Sequence, residues 1–232
     1  MTLKELRLRK VAVAVLAIAL SSSMLTTVAT AAGTAPSVMQ NDDLLIPPPE
    51  EDWTPLDPVT TTDSYDSNGD GNLEFFYFYY ERHMRVDRDR DGVLESGRDV
   101  VIEKLYYDDN DDGVRDYIYE FSMRREFSDS NDDGLREAQL GSRIMREQAD
   151  WNYDGLIDYL IRSNDARVVQ DRNSDGFPEL DRASSYLQEY YDQSEDGVWG
   201  TTHLMSVGFA LMDKDSDGEV DSTKEWNSDD WS

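Results

Sequence analysis

The chain has no cysteine. That absence removes disulfide frameworks, thiolate zinc sites, cysteine nucleophiles and lipid attachment at a lipobox. It has only two histidines, His83 and His203, so imidazole ligation and catalysis have little to draw on. It is also poor in positive charge. Lys and Arg number 22 against 50 Asp and Glu in 232 residues, a formal net charge of −28. Phosphate binding needs a basic face, which argues against nucleic acid as a partner. Gly-x-Ser-x-Gly, His-Glu-x-x-His and phosphate-loop motifs are missing, and the chain reads as a non-enzyme. Aromatics are not scarce. At 11% they argue against plain acidic disorder.

The N-terminal segment reads as an address. Lys4, Arg7, Arg9 and Lys10 precede the apolar run Val11 to Leu20, and Ala29-Thr30-Ala31 offers small residues for cleavage. This pattern predicts a secretory signal peptide over 1–31. The apolar run is short for a bilayer span and fades into Ser21-Ser22-Ser23, so no transmembrane helix is expected once it is removed. The expected location is secreted, periplasmic or at the cell surface. Removal takes the formal charge from −28 to −31, because Glu5 leaves with the four cations. Residues 32–62 read as a Pro-rich acidic linker. Six of the seven prolines precede residue 60, and Pro47-Pro48-Pro49 runs into Glu50-Glu51-Asp52.

The rest, 63–232, is dominated by a repeat. The string Asp-x-Asn/Asp/Ser-x-Asp-Gly begins at Asp66, Asp87, Asp108, Asp129, Asp150, Asp171, Asp192 and Asp213, at intervals of 21 residues. Position 1 of each unit is that Asp. Position 3 is Asn68, Asp89, Asn110, Asn131, Asn152, Asn173, Ser194 or Asp215. Position 5 is Asp70, Asp91, Asp112, Asp133, Asp154, Asp175, Asp196 or Asp217. Position 6 is Gly throughout, from Gly71 to Gly218. Position 9 is Glu74, Glu95, Asp116, Glu137, Asp158, Glu179, Gly200 or Asp221.

This spacing points to a hard cation. Ca²⁺ takes six to eight oxygens at about 2.3–2.6 Å. Side chains at 1, 3 and 5 supply three, the position 7 carbonyl another, and position 9 returns a carboxylate directly or through water. Gly at position 6 takes a turn that a Cβ would hinder. Packing three or four carboxylates together is costly unless a cation neutralises them. Metal-free Asx turns are the competing reading, since Asp, Asn and Gly are turn formers, but a turn needs no acids at 1, 5 and 9 in register. Loops 2 and 8 carry four carboxylates each. Loop 7 has Gly200 where the acid belongs and is expected to be weakest or empty. Eight divalent ions would move the formal charge from −31 to −15.

The opening of each loop is EF-hand-like, but position 12, where EF-hands and dockerins place an acid, is Tyr77, Arg98, Tyr119, Leu140, Ile161, Arg182, His203 or Lys224. The Asp-x-Asp/Asn-x-Asp-Gly-x-x-Asp/Glu pattern resembles the non-EF-hand calcium loops of thrombospondin type 3 and FG-GAP/VCBS-type repeats. The resemblance covers nine of each 21 residues and implies Ca²⁺ as the cofactor. The cysteines of the first family and the Phe-Gly and Gly-Ala-Pro signatures of the second are missing. The period and layout are also similar to YD/RHS repeats, as analogy only.

Aromatic and β-branched runs follow each loop, as in Phe75 to Tyr80, Tyr117 to Phe121 and Tyr159 to Ile161. Small residues come near mid-unit: Ser122, Gly141-Ser142 and Ser163-Asn164-Asp165. The expected fold is mainly β: an antiparallel hairpin meander, one hairpin per unit, in an extended or curved sheet with calcium-loop turns. The alternatives are a β-solenoid and short helices over Leu180 to Tyr191. Apolar residues at position 7, such as Val93, Leu156 and Phe177, are expected to enter a shared core, and the aromatics to form core or cross-strand pairs. The functional expectation is a secreted calcium-binding repeat protein with a structural, adhesive or interaction role, its partners a cell-surface protein or polysaccharide. The alternative is an accessory scaffold of a carbohydrate-active or toxin-associated factor.

Overall fold

The computed structural model describes residues 58–232. The signal segment, Trp53 and most of the linker lie outside the described residues. Nine strands follow one another: β1 Val59–Tyr65, β2 Phe75–Val86, β3 Ser96–Tyr107, β4 Tyr117–Ser128, β5 Ala138–Ala149, β6 Tyr159–Gln170, β7 Leu180–Tyr191, β8 Thr201–Met212 and β9 Ser222–Trp231. They lie side by side in chain order in one sheet, each antiparallel to the next. The fold is therefore the expected antiparallel meander. Neither solenoid coils nor a helix over Leu180–Tyr191 forms, because that segment is β7. Strand β1 begins at Val59 and takes in the end of the stretch read as linker.

The expected hairpin within each unit does not form. Positions 10 to 21 make one 12-residue strand, as in β2 to β8, and the loop of positions 1 to 9 is the only turn in the unit. The physical reason is backbone handedness. Tight two-residue hairpin turns need positive φ. Every positive φ among the described residues falls at position 4 or 6 of a loop, none at mid-unit. The mid-unit small residues instead stand within strands, Ser122 opposite Ile102 and Ile144, Gly141 opposite Arg125 and Arg167.

One strand per unit reverses the chain direction at every loop. Loops 1, 3, 5 and 7 therefore lie on one rim of the sheet and loops 2, 4, 6 and 8 on the other. Same-rim neighbours are two units apart in sequence. They are stitched together by backbone bonds, such as Asp129 N to Glu95 O at 2.8 Å and Asp192 N to Asp158 O at 2.8 Å.

Aromatics pair across strands, as expected. On the odd rim Phe75, Tyr107 and Tyr117 form a row with ring centroids 5.3 and 5.9 Å apart, and Trp151, Tyr159 and Tyr191 form another at 5.7 and 5.2 Å. The even rim has Ser96, Ser128 and Ala138 at the matching places. Among the described residues buried apolar side chains are few, including Phe127, Ile161 and Ala183. The sheet face that carries these three is also held by charge. Asp99 is 0% exposed and is clasped by His83 Nδ1 at 2.8 Å, Arg85 at 2.7 Å and Arg125 at 3.2 Å. On the same face Arg143 meets Asp165 at 2.8 Å, Arg167 meets Asp181 at 2.8 Å, and His203 bridges Glu189 at 2.6 Å and Asp229 at 2.8 Å.

Candidate metal centres

The loops share one hydrogen-bond plan, built from their own carboxylates. The position 1 Asp accepts from the Gly N–H at position 6, at distances from 2.6 Å in loop 7 to 3.1 Å in loop 2. In loops 1 to 6 the position 3 oxygen accepts from the position 5 N–H, and throughout the position 5 carboxylate accepts from the position 7 N–H, as in loop 5 at 3.0 and 2.8 Å. The position 9 acid accepts from the position 2 N–H, for example Trp151 to Asp158 at 2.7 Å. These are Asx turns in series, and they bend the chain around its acids. In loop 7 Gly200 has no side chain to accept from Gln193, so that tie is lost.

Backbone conformation explains the residues at positions 4 and 6. Position 4 takes φ of 56–66° at Arg90, Asp111, Asp132, Tyr153, Ser174, Glu195 and Ser216, inside the small left-handed well open to L residues. Position 6 takes φ of 80–98°, past that well, and is Gly in every unit.

Three loops gather three carboxylates with one oxygen of each within 4.8 Å of the others: Asp87, Asp89 and Asp91 in loop 2, Asp129, Asp133 and Glu137 in loop 4, and Asp213, Asp215 and Asp221 in loop 8. A fourth group crosses loops, joining Asp89 and Glu95 of loop 2 to Asp132 of loop 4. In loops 1, 3, 5 and 6, among the described residues, the acids are not gathered so closely. Each has Asn at position 3, and in loops 3, 5 and 6 its amide donates to the position 5 carboxylate at 2.9–3.1 Å, as it also does in loop 4. Asp66, Asn68, Asp70 and Glu74 of loop 1, Asp192, Ser194 and Asp196 of loop 7, and Asp217 of loop 8 stand in the same loop positions without joining a group of three.

The acids bear on one another. Burial raises the Asp158 carboxyl despite the amides of Trp151 and Asn152, and the charges of Asp150 and Glu195 add to the rise. Burial pushes Asp116 up to about 6 against the amides of Asp109 and Asn110. Asp215 is raised chiefly by Asp217 and Asp221. Glu74 is lowered, first by the Ser67 hydroxyl.

Orphaned oxygens test the fit of a cation. Asp158 is 0% exposed, and its Oδ1 makes no hydrogen bond. The same holds for Oε1 of Glu179, which is 8% exposed, and for Oδ1 of Asp111 and Asp132. A sealed, unpaired carboxylate oxygen is costly. The donors are all oxygen, with no sulfur or imidazole in the loops, which fits a hard cation.

Two features depart from the sequence reading. Position 7 side chains do not enter a core: Leu156 is 44% and Phe177 60% exposed. They lie against the next loop on the same rim instead, where a Cβ on Gly197 would meet Leu156 Cδ1 at 3.0 Å and one on Gly218 would meet Phe177 at 3.7 Å. A one-strand unit leaves no second layer for them to enter. Position 4 carries no constant residue type and stands outside the acidic pattern. Its side chain reaches back to the preceding loop of the same rim: Asn68 bonds Asp111, Ser174 Oγ donates to Glu137 Oε1 at 2.9 Å, and Asn152 donates to Glu195 Oε2 at 3.3 Å. The signal was an acid at position 4 of units 3, 4 and 7, readable only once each unit is known to be one strand.

No protein-family model, curated protein or solved structure matches this chain.

Proposed function

We propose that the chain is a secreted calcium-binding repeat protein with a structural, adhesive or interaction role, its array stabilised by Ca²⁺. The observation that carries this reading is the gathering of three carboxylates in each of loops 2, 4 and 8 within 4.8 Å. So many like charges held by the backbone repel, and a divalent cation turns that repulsion into attraction. Ca²⁺ suits the loops better than Mg²⁺. It accepts irregular sets of carboxylate, amide and carbonyl oxygens, whereas Mg²⁺ demands near-octahedral geometry and holds its waters. Loops 2, 4 and 8 are the strongest sites on this reading, and loop 7 the weakest. With the ions in place, the rims present a chain of far lower charge to a protein or polysaccharide partner.

Calorimetric titration of chelator-treated protein with CaCl₂ tests this. Uptake at several sites, with a higher melting temperature by circular dichroism, is the expected result. No uptake at millimolar Ca²⁺, with identical melts in Ca²⁺ and in chelator, refutes it.

A further inference from the structure

We propose that cation sites are shared between loops: the acid at position 4 of loops 3, 4 and 7 supplies a ligand to the site of the loop two units earlier on the same rim, so that the ion there bridges two loops. The inference rests on the calcium reading and adds ligands that lie outside the repeating acidic pattern. By it, Asp111 belongs to the loop 1 site, Asp132 to the loop 2 site and Glu195 to the loop 5 site.

Two independent observations carry this. The first is distance. Asp132 of loop 4 brings a carboxylate oxygen within 4.8 Å of one on Asp89 and one on Glu95, both in loop 2. That gathering meets the same 4.8 Å limit as the groups within loops 2, 4 and 8. The second is the orphaned oxygen of loop 5. Asp158 is sealed from solvent, its Oδ2 is held by the Trp151 amide at 2.7 Å, and its Oδ1 has no hydrogen-bonding partner. The charge that bears on it from outside its own loop is Glu195, whose Oε2 lies 3.3 Å from Asn152 Nδ2 of the same site. A sealed carboxylate oxygen without a partner, in a loop to which a second carboxylate is tied through Asn152, calls for a cation at that loop.

The backbone explains why position 4 has this role. Its left-handed φ turns the side chain out of its own loop, and the bond from the next loop's position 1 N–H to the position 9 carbonyl holds the two loops in contact. The degenerate seventh loop then has a use. It has lost its own position 9 acid but carries Glu195 at position 4, so it completes the site of loop 5.

The test compares Ca²⁺ isotherms of the wild-type chain with those of Asp132→Asn, Glu195→Gln and Asp230→Asn. The last removes one negative charge from exposed β9, outside the loops themselves, and controls for net charge. Asp132→Asn is expected to weaken one site about tenfold, by loss of a charged ligand, while Asp230→Asn leaves the isotherm unchanged. Terbium, which replaces Ca²⁺ and luminesces when an adjacent Trp is excited, reads loop 5 through Trp151. Glu195→Gln should weaken the Trp151-dependent signal about tenfold in terbium affinity, and Trp151→Phe identifies that signal. Circular dichroism of each variant checks that the sheet is intact. If wild type binds Ca²⁺ and both loop variants superimpose on Asp230→Asn, the shared sites are refuted and the calcium reading stands. If wild type binds none, both fall.

Discussion

Single side chains set the backbone of each loop and the charge pairing of the sheet. Ser216 sits at φ 60° and donates its N–H to Asp213 Oδ1 at 2.8 Å. A left-handed L residue is disfavoured, and glycine there keeps the same amide bond. Ser216→Gly should therefore stabilise the protein by about 1 kcal/mol, read as a raised urea midpoint at unchanged slope. Gly218, at φ 86°, is the opposite case, and Gly218→Ala should lower the midpoint. Asp99 carries more. Burial pushes its carboxyl up, but hydrogen bonds from Arg85 and His83 and the charges of Arg85 and Arg125 outweigh burial and hold it below the usual value. Asp99→Ala leaves two arginines facing each other without their anion and should cost about 3–5 kcal/mol by urea titration. A lowered carboxyl pKa gives stability that is present above the ordinary Asp range and is lost as pH falls through the folded value. His203 has the reverse sign. Burial lowers it, but hydrogen bonds and charge from Glu189 on β7 and Asp229 on β9 prevail and raise it above 6.5. Its contribution is whole below about 6.5 and is lost as pH rises through the elevated folded value. Trp231 stacks on the ring at 3.9 Å, so the fluorescence of Trp231 should report β9 loosening on alkaline titration, and His203→Gln should flatten that response.

Strands depend on where glycine replaces bulk. Gly208 of β8 lies beneath Trp226 of β9, where an added Cβ would come 2.2 Å from Trp226 Cζ2 and 2.5 Å from the Ala183 carbonyl oxygen. A backbone oxygen cannot swing aside, so Gly208→Ala should cost about 1–3 kcal/mol and free the β9 rim to hydrogen exchange. Glycine in β8 makes room for a ring; at loop position 6 it makes a turn. That double use marks how far the fold could be read from sequence. The register of eight Asp-Gly loops located every turn, and the aromatic runs located the strands beside them. The direction of the chain after each strand was not legible, because Gly141-Ser142 and Ser163-Asn164-Asp165 look like turn formers and are strand residues. A hairpin per unit would put all eight loops on one rim. One strand per unit splits them between two, and only then do Asp132 and Glu195 face acids 37 residues or more upstream in sequence. The loop residues at 1, 3, 5 and 9 were legible as candidate ligands because local spacing alone specifies them. Position 4 was not, since its partners are chosen by topology.

The whole array is a one-dimensional stack in which each strand pairs only with its sequence neighbours. In such arrays stability is a sum of unit terms and nearest-neighbour terms, and units at the ends fray independently. Here the ends are weakly held: β1 is exposed along its length, and β9 is largely so. The repulsion of a chain at −28 acts along both rims and favours opening at either end. Backbone bonds already link loops two units apart. An ion held between the same loops would add a second-neighbour term, and second-neighbour terms are what turn independent fraying into concerted unfolding. The expected outcome is a calcium-dependent change in cooperativity as well as in midpoint. In chelator, scanning calorimetry should give a broad transition with a van't Hoff enthalpy well below the calorimetric one. In saturating Ca²⁺ the two enthalpies should converge, and Asp132→Asn should restore part of the gap while Asp230→Asn restores none. A midpoint that rises with Ca²⁺ while the enthalpy ratio stays fixed would mean that ions stabilise loops one at a time, each rim remaining a row of separate sites.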